Sequence, residues 1–354
     1  MKTLRIAAAA ALLVLSVAGQ AAPVDDFKAL LDEHWEWTLA NSPLLASSLG
    51  DRRYNDRWAD QSLAAIERRH DETAGFLRRV YAIERASLPE AEQLNYELFR
   101  RQLQDDVDSH KFSGYLMPFF HRGGVQNLEN TTNRLPLAST QDFDDWLARL
   151  GKIDEVIEQH IDLAEAGRKK GIMAPEVLMQ RIEPQLALQL VDSAEQSPFY
   201  RTFVDFPGAV PAADQERLRS EALAIIDKTV LPAYRKLARY FGDTYLPATR
   251  ASIGQSALPN GAAWYEFLAR SFTTTRMTPD EIHRLGLEEV KRIRDEMQQI
   301  IDELEFAGSF QEFLEFLRTD PQFYFDDPDD LYEAYLATST RIDPELVKLF
   351  GVLP

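Results

Sequence analysis

The sequence of 354 residues contains no cysteine. That absence excludes structural disulfides, thiolate-ligated zinc, iron–sulfur clusters, a thiol nucleophile and lipid attachment through an N-terminal cysteine. Positive charge is also scarce: 39 lysines and arginines face 57 aspartates and glutamates, a formal net charge of −18. A nucleic-acid binder needs a basic face to displace counterions from phosphates, so no nucleic-acid partner is expected. Long hydrophobic runs are missing as well. The run from Ile6 to Ala18 falls short of the ~20 apolar residues that span a bilayer.

Several catalytic signatures are absent too. The six histidines are His34, His70, His110, His121, His160 and His283, and none has a second histidine four residues on. A zincin helix needs that spacing so that both imidazoles reach one metal. There is no Gly-x-Ser-x-Gly elbow, no Walker loop and no dinucleotide fingerprint. By itself the chain therefore yields no catalytic residue, no metal ligand and no cofactor site.

What is present begins with an export address. Lys2 and Arg5 precede the short apolar run, and Gly19-Gln20-Ala21 supplies small residues before Ala22-Pro23. This is the pattern of a secretory signal peptide over residues 1–21. Cleavage after Ala21 removes two bases and no acid, and predicts an exported, periplasmic or secreted product over 22–354 with no membrane anchor.

Beyond the leader, apolar residues recur with a period of 3.6, and alternating strand-like runs are scarce. The expected fold is all-α, a multi-helix single body. Helices are predicted over about 25–40, 60–86, 90–112, 140–166, 175–191, 212–241, 262–272, 279–306, 310–318 and 329–338, with Pro184 and Pro232 kinking or splitting two of them. Ser87-Leu88-Pro89-Glu90, Thr278-Pro279-Asp280-Glu281 and Ser309-Phe310-Gln311-Glu312 match the capping box, and Asp327-Pro328 and Asp343-Pro344 read as helix starts. The stretch 113–136 is the longest without helical pattern, and such loops are functional or mobile. Between Asp302 and Glu333 eleven acids stand against one base, Arg318. Without EF-hand spacing, they read as a solvated face and helix N-terminal carboxylates rather than a calcium or cationic-peptide site.

The chemical candidates are few. Glu67-x-x-His70 and Asp280-x-x-His283 each place two ligand types on one helix face, but a di-metal bundle needs two Glu-x-x-His pairs. Leu258-Pro259-Asn260-Gly261 leads into Trp264-Tyr265 at a helix start. Free amides there can bind a carboxylate or phosphate, or the segment is a simple turn.

Five blocks together resemble a known family. They are Ser42-Pro43 with Leu49-Gly50-Asp51-Arg52-Arg53-Tyr54-Asn55-Asp56, the Gly124-Val125-Gln126 loop, Leu258 to Leu268, Phe272-Thr273-Thr274-Thr275, and Met277 to Ile293. In order and spacing they are similar to the bacterial family called domain of unknown function 885. The resemblance implies an exported, mostly helical metallopeptidase of about twice this domain length. Its zincin-like His-Glu-x-x-x-x-His-His segment would lie downstream of these blocks. The chain stops at Pro354 before that segment, so no zinc ligand carries over to any residue here, and zinc is expected only for an intact member. The lack of cysteine departs from the lipoprotein members. On this resemblance the chain is expected to be the N-terminal half, inactive alone, with peptide substrate or a missing C-terminal half as its partner. Gly261, Trp264, Tyr265 and His283 are the candidates to face the substrate. The alternative is a complete, non-catalytic periplasmic helical protein that binds a peptide or partner.

Overall fold

The computed structural model describes residues 22–353, so the leader read at 1–21 lies outside the described residues. The fold is all-α, as the periodicity predicts. Among the described residues the β-type pairing is one isolated bridge between Pro175 and Arg250. The chain clusters into two compact units that divide between Thr275 and Arg276, a division that no composition shift marks.

The first unit opens with α1 (Ala22–Asn41), α2 (Pro43–Ser48), α3 (Leu63–Ala82) and α4 (Glu90–Ser109). Their apolar stripes meet in one cluster, with Phe27 and Leu30 from α1, Phe76 and Val80 from α3, and Phe99 and Leu103 from α4. The larger core follows, built on α5 (Thr140–Leu150), α6 (Ile153–Lys170), α7 (Glu176–Met179), α8 (Glu183–Ala187), α9 (Ala212–Ile225) and α10 (Leu231–Tyr240). Phe143, Trp146, Ile157, Phe199, Phe203, Tyr234, Phe241 and Tyr245 fill it, all at most 1% exposed. Burying each such side chain contributes roughly 1.5–3 kcal/mol. α11 (Gly261–Thr273) closes the unit.

Several boundaries differ from the sequence reading. The helix expected over 140–166 is two helices, interrupted at Gly151-Lys152. The apolar stripe runs through the break, so periodicity could not register it. At the break the Arg149 carbonyl accepts a hydrogen bond from Trp58 Nε1 (2.9 Å), a donor from outside the helix. Pro184 does split its helix, leaving the short α7 and α8. Before Pro232 the chain widens into one π-helical turn over Ile226–Val230, where Leu231 N–H reaches back five residues to the Ile226 carbonyl. Proline supplies no amide and crowds the preceding turn, and the wider register accommodates both. A second π turn, Phe241–Tyr245, precedes Pro247 in the same way.

Capping gives mixed results. The boxes at Thr278 and Ser309 are present, as is an unforeseen one at Ser139 with Asp142. Ser87 forms none. Its hydroxyl donates to the Glu84 carbonyl (2.6 Å) within a 3-10 turn, and α4 starts after Pro89 without a side-chain cap. The loop 113–136 is not irregular coil but carries 3-10 turns at Gly114–Leu116 and Val125–Arg134. A buried amide network pins it: Gln126 Nε2 donates to Phe120 O (2.7 Å) and Gln185 Oε1 (3.0 Å), and Tyr234 OH donates to Val125 O (2.8 Å).

The second unit holds α12 (Pro279–Glu303), α13 (Phe310–Thr319) and α14 (Pro328–Leu349). Asp343-Pro344 starts no helix, because α14 runs through it with Pro344 inside. That helix has no buried residue, so water can satisfy the carbonyl that the proline leaves unbonded. Phe306, Phe313, Phe316 and Phe323 form a chain of ring contacts 5.1–6.1 Å apart. Among the described residues of this unit, Ile301 and Phe313 are the buried hydrophobics. The acids of 302–333 lie on exposed surface or at helix starts: Glu312, Asp320 and Asp327 each accept a backbone amide or hydroxyl there.

Candidate functional site

Three places in the structure gather chemistry-bearing side chains. The first is the start of α11. Asn260 adopts a left-handed conformation (φ +55°), which turns the chain into the helix. Gly261 packs so tightly on the 255–256 backbone that an added Cβ would collide with the Gln255 carbonyl oxygen. Trp264 lies flat on Phe112 (5.7 Å, 6° between planes) inside a small cluster with Leu258 and Phe267. Gly114 leaves room for that indole, since a Cβ there would stand 2.8 Å from its Cζ2. Tyr265, one residue on, is half exposed. His283 belongs to the second unit and is exposed on the early part of α12. Of the four sequence candidates, Gly261 and Trp264 are thus engaged in packing, while Tyr265 and His283 offer accessible side chains.

The second place joins Glu67 and His70 on α3 to His110 and Tyr115. His110 Nε2 lies 3.2 Å from Glu67 Oε2, and Tyr115 OH donates toward Glu67 Oε1 at 3.4 Å. Burial raises the Tyr115 hydroxyl above its ordinary value, and nearby Glu67 adds to that. The rings of His70 and His110 stack face to face, 3.9 Å apart and 13° from parallel. Stacked imidazoles direct their lone pairs side by side rather than onto one point about 2 Å from both nitrogens, as zinc requires. Among the described residues, no group of three His, Asp or Glu side chains is placed to hold a metal ion. The residues present here do not fit zinc. The sequence pairs Glu67 with His70, but His110 is 40 residues away and no spacing rule points to it.

The third place is organised by Arg149, a fully buried arginine. The segment 42–58 folds over it as a strap. Pro43 begins α2, Gly50 (φ +84°) reverses the chain, and Asp51 caps the 3-10 turn Arg52–Tyr54. Arg149 then ties strap to helix. Its Nε donates to Arg57 O (3.0 Å), and its Nη2 to Ser47 Oγ (2.8 Å) and Tyr54 O (3.2 Å). Burial pushes its pKa down to about 10, with Asp145 and Asp56 opposing that shift. Arg52 on the strap pairs with Asp142 and Asp145 of α5. Beside these groups lies a shallow surface recess with room for about one water molecule, lined by Asn55, residues 135–137, Asp142, Asp145, Trp146 and Arg149. In the sequence most of this strap stood out as one of the five family-like blocks, with nothing to tie it to Arg149, which was one charge within the helix expected over 140–166.

An all-α body with a pinned loop, and with no metal-fitting donor set among its described residues, defines the class. The family described as bacterial protein of unknown function (DUF885) matches residues 43–354, and the chain belongs to it. No curated protein matches the chain. Among solved structures, the crystal structure of the putative lipoprotein from Colwellia psychrerythraea is similar, with a TM-score of 0.71 and 19% identity. The match covers 88% of this chain and 56% of that one. At that identity the likeness shows the fold alone, and this chain spans little more than half of its neighbour. Among the described residues no helix is long and apolar enough to cross a membrane.

Proposed function

We propose that this chain forms the helical N-terminal part of an exported, zinc-dependent peptidase, with the metal ligands contributed by sequence beyond Pro354. The observation that carries this reading is the face of α12. Val290, Ile293, Met297, Ile300 and Leu304 step by three and four residues along one side of the helix, and all five are exposed. Such a seam is the docking face of a packed helix, and a contiguous apolar patch of this kind marks an interaction surface. Family membership and the 56% coverage of the Colwellia chain are compatible with a further portion of the fold that covers it. On this reading Tyr265 and His283 contact the peptide, while Gly261 and Trp264 hold α11 in position. The exposed seam disfavours the alternative of a complete, non-catalytic periplasmic binding protein, which would bury its apolar faces.

The test starts with the DNA that follows the Pro354 codon. An open frame running into a His-Glu-x-x-x-x-His-His segment is expected. The extended protein should then cleave peptides, lose that activity to a chelator and regain it with zinc, while residues 22–354 alone cleave nothing. A stop codon with a soluble, monomeric product overturns the reading, as does an extended protein that is inactive with zinc.

A further inference from the structure

On the reading that a further portion of the polypeptide covers α12, we infer that the covering helix carries lysine or arginine at seven-residue intervals along one edge. The seam alternates steps of three and four residues, the spacing with which a helix presents one stripe to a helical neighbour. Val290, Met297 and Leu304 form one set of contact positions, and Ile293 and Ile300 the other. The residues just before the first set are Glu289, Glu296 and Glu303, which line one edge of the seam. None of the three is buried. The opposite edge is already engaged within the unit, since Arg294 lies over the Phe310 ring at the start of α13 (5.2 Å) and Ile301 is buried. The open side of α12 is therefore apolar seam plus glutamate edge.

Charge then narrows the occupant. Arg292 bonds both Glu289 and Glu296 (2.7 Å each), while Glu303 accepts from the uncharged Gln299 amide (3.0 Å). One base thus serves three acids, and the edge stays negative. In paired helices the residues that flank the apolar stripe choose the partner, because opposite charges there attract and like charges exclude. A second copy of this chain fits poorly. Packed antiparallel, it would set one glutamate edge against the other. Packed parallel, it would match Glu289 with the second copy's Arg294, which is held over Phe310, and Glu296 with the second copy's Ile301, which is buried. The chain's formal charge of −18 adds repulsion in either case. A helix that brings its own bases to this edge meets the seam and the charge together.

Calorimetry of the full chain with two synthetic amphipathic helices tests the edge chemistry. Both peptides carry leucine at the contact positions of every heptad, and their flanking positions are all lysine in one and all glutamate in the other. A scrambled form of the lysine peptide controls for attraction to the chain's overall negative charge. The lysine peptide should bind roughly tenfold more tightly than the glutamate peptide, the sum of three modest surface ion pairs. It should also bind more tightly than its scrambled form, and lose most of its advantage over the glutamate peptide in about 1 M salt. The triple variant Glu289→Lys, Glu296→Lys, Glu303→Lys should reverse the preference, and Met297→Asp should abolish binding of the lysine peptide. The reading frame beyond the Pro354 codon tests the source: it should encode an apolar heptad repeat flanked by lysine or arginine at seven-residue spacing. The inference is overturned if the lysine peptide binds no better than either of the others, if the triple variant keeps the original preference, or if the chain forms a defined dimer that Met297→Asp dissolves. An extended protein that is active with zinc but encodes no such helix overturns this inference and leaves the peptidase reading standing. A stop codon overturns the peptidase reading and, with it, the assignment of the helix to the same polypeptide.

Discussion

The two units of this protein are built from helices of similar pattern and reach opposite outcomes. In residues 22–275 nearly every apolar stripe finds a partner, and the main core alone buries Phe143, Trp146, Phe199, Phe203, Tyr234, Phe241 and Tyr245. In residues 276–353 the stripes of α12 and α14 are equally plain in the sequence, yet only Ile301 and Phe313 are buried. The contrast teaches that amphipathic periodicity specifies a helix and its apolar side but not what that side will meet. The first unit has supplied its own partners. The second leaves the α12 seam exposed and buries no residue of α14.

The sharpest way to break the comparison is to truncate a side chain in each unit. Phe241→Ala in the main core should cost about 3–5 kcal/mol by chemical denaturation, from lost burial plus an unfilled cavity. A loss under 1 kcal/mol would mean that the first unit is not the tightly packed body described. Next in size, Gly261→Ala forces the 255–256 backbone away from α11, and should cost about 1–3 kcal/mol through overpacking. Retained stability with an altered environment of Trp264, read by near-ultraviolet circular dichroism, would instead show that this turn yields freely.

A third test uses pH. Burial lowers the pKa of His160, which also contacts the Val156 carbonyl at 2.7 Å. Burial likewise lowers that of His34, packed edge-on to Phe76 and Phe99 at 5.1 and 4.9 Å. Each is neutral in the folded state at a pH where the unfolded chain takes up a proton. Their contribution to stability is therefore complete above the unfolded value of about 6.5, and is lost as pH falls toward the depressed folded values. The slope is bounded by about 1.4 kcal/mol per pH unit per histidine. His160→Gln should flatten the stability profile just below pH 6.5 and leave the carboxylate-linked loss, near pH 4 and below, in place. An unchanged slope for both His160→Gln and His34→Gln would assign that window to other groups.

The smallest effect is expected in the second unit. Val290→Ser on the exposed seam should change thermal stability by less than about 0.5 kcal/mol, while reducing self-association and binding of a hydrophobic dye. A cost of 2 kcal/mol or more would show that the seam is already packed in solution, and the contrast between the units would fall.

Legibility in the sequence followed the range of the interactions. Helix class, most helix spans, the Thr278 and Ser309 boxes and the effects of Pro184 and Pro232 depend on neighbours within about five residues, and could be read. The Gly151 break, the missing Ser87 box and the uninterrupted α14 could not, because a competing carbonyl, an indole donor or solvent decided each. At the candidate sites the gap is wider. Gly261 and Trp264 stood out as residue types at a helix start, but their packing against Gln255, Phe112 and Gly114 did not. Arg149 carried no signal at all.

By itself, then, the sequence determined an acidic, cysteine-free helical chain of a recognisable family, since composition, period and motif order are properties of the string. Tertiary structure alone decided which apolar faces are covered, that His70 stacks on His110 instead of converging on an ion, and that the 42–58 strap encloses a buried arginine with a donor to spare. Each of these joins groups dozens of residues apart, and their energy depends on distances and burial that only the folded chain sets.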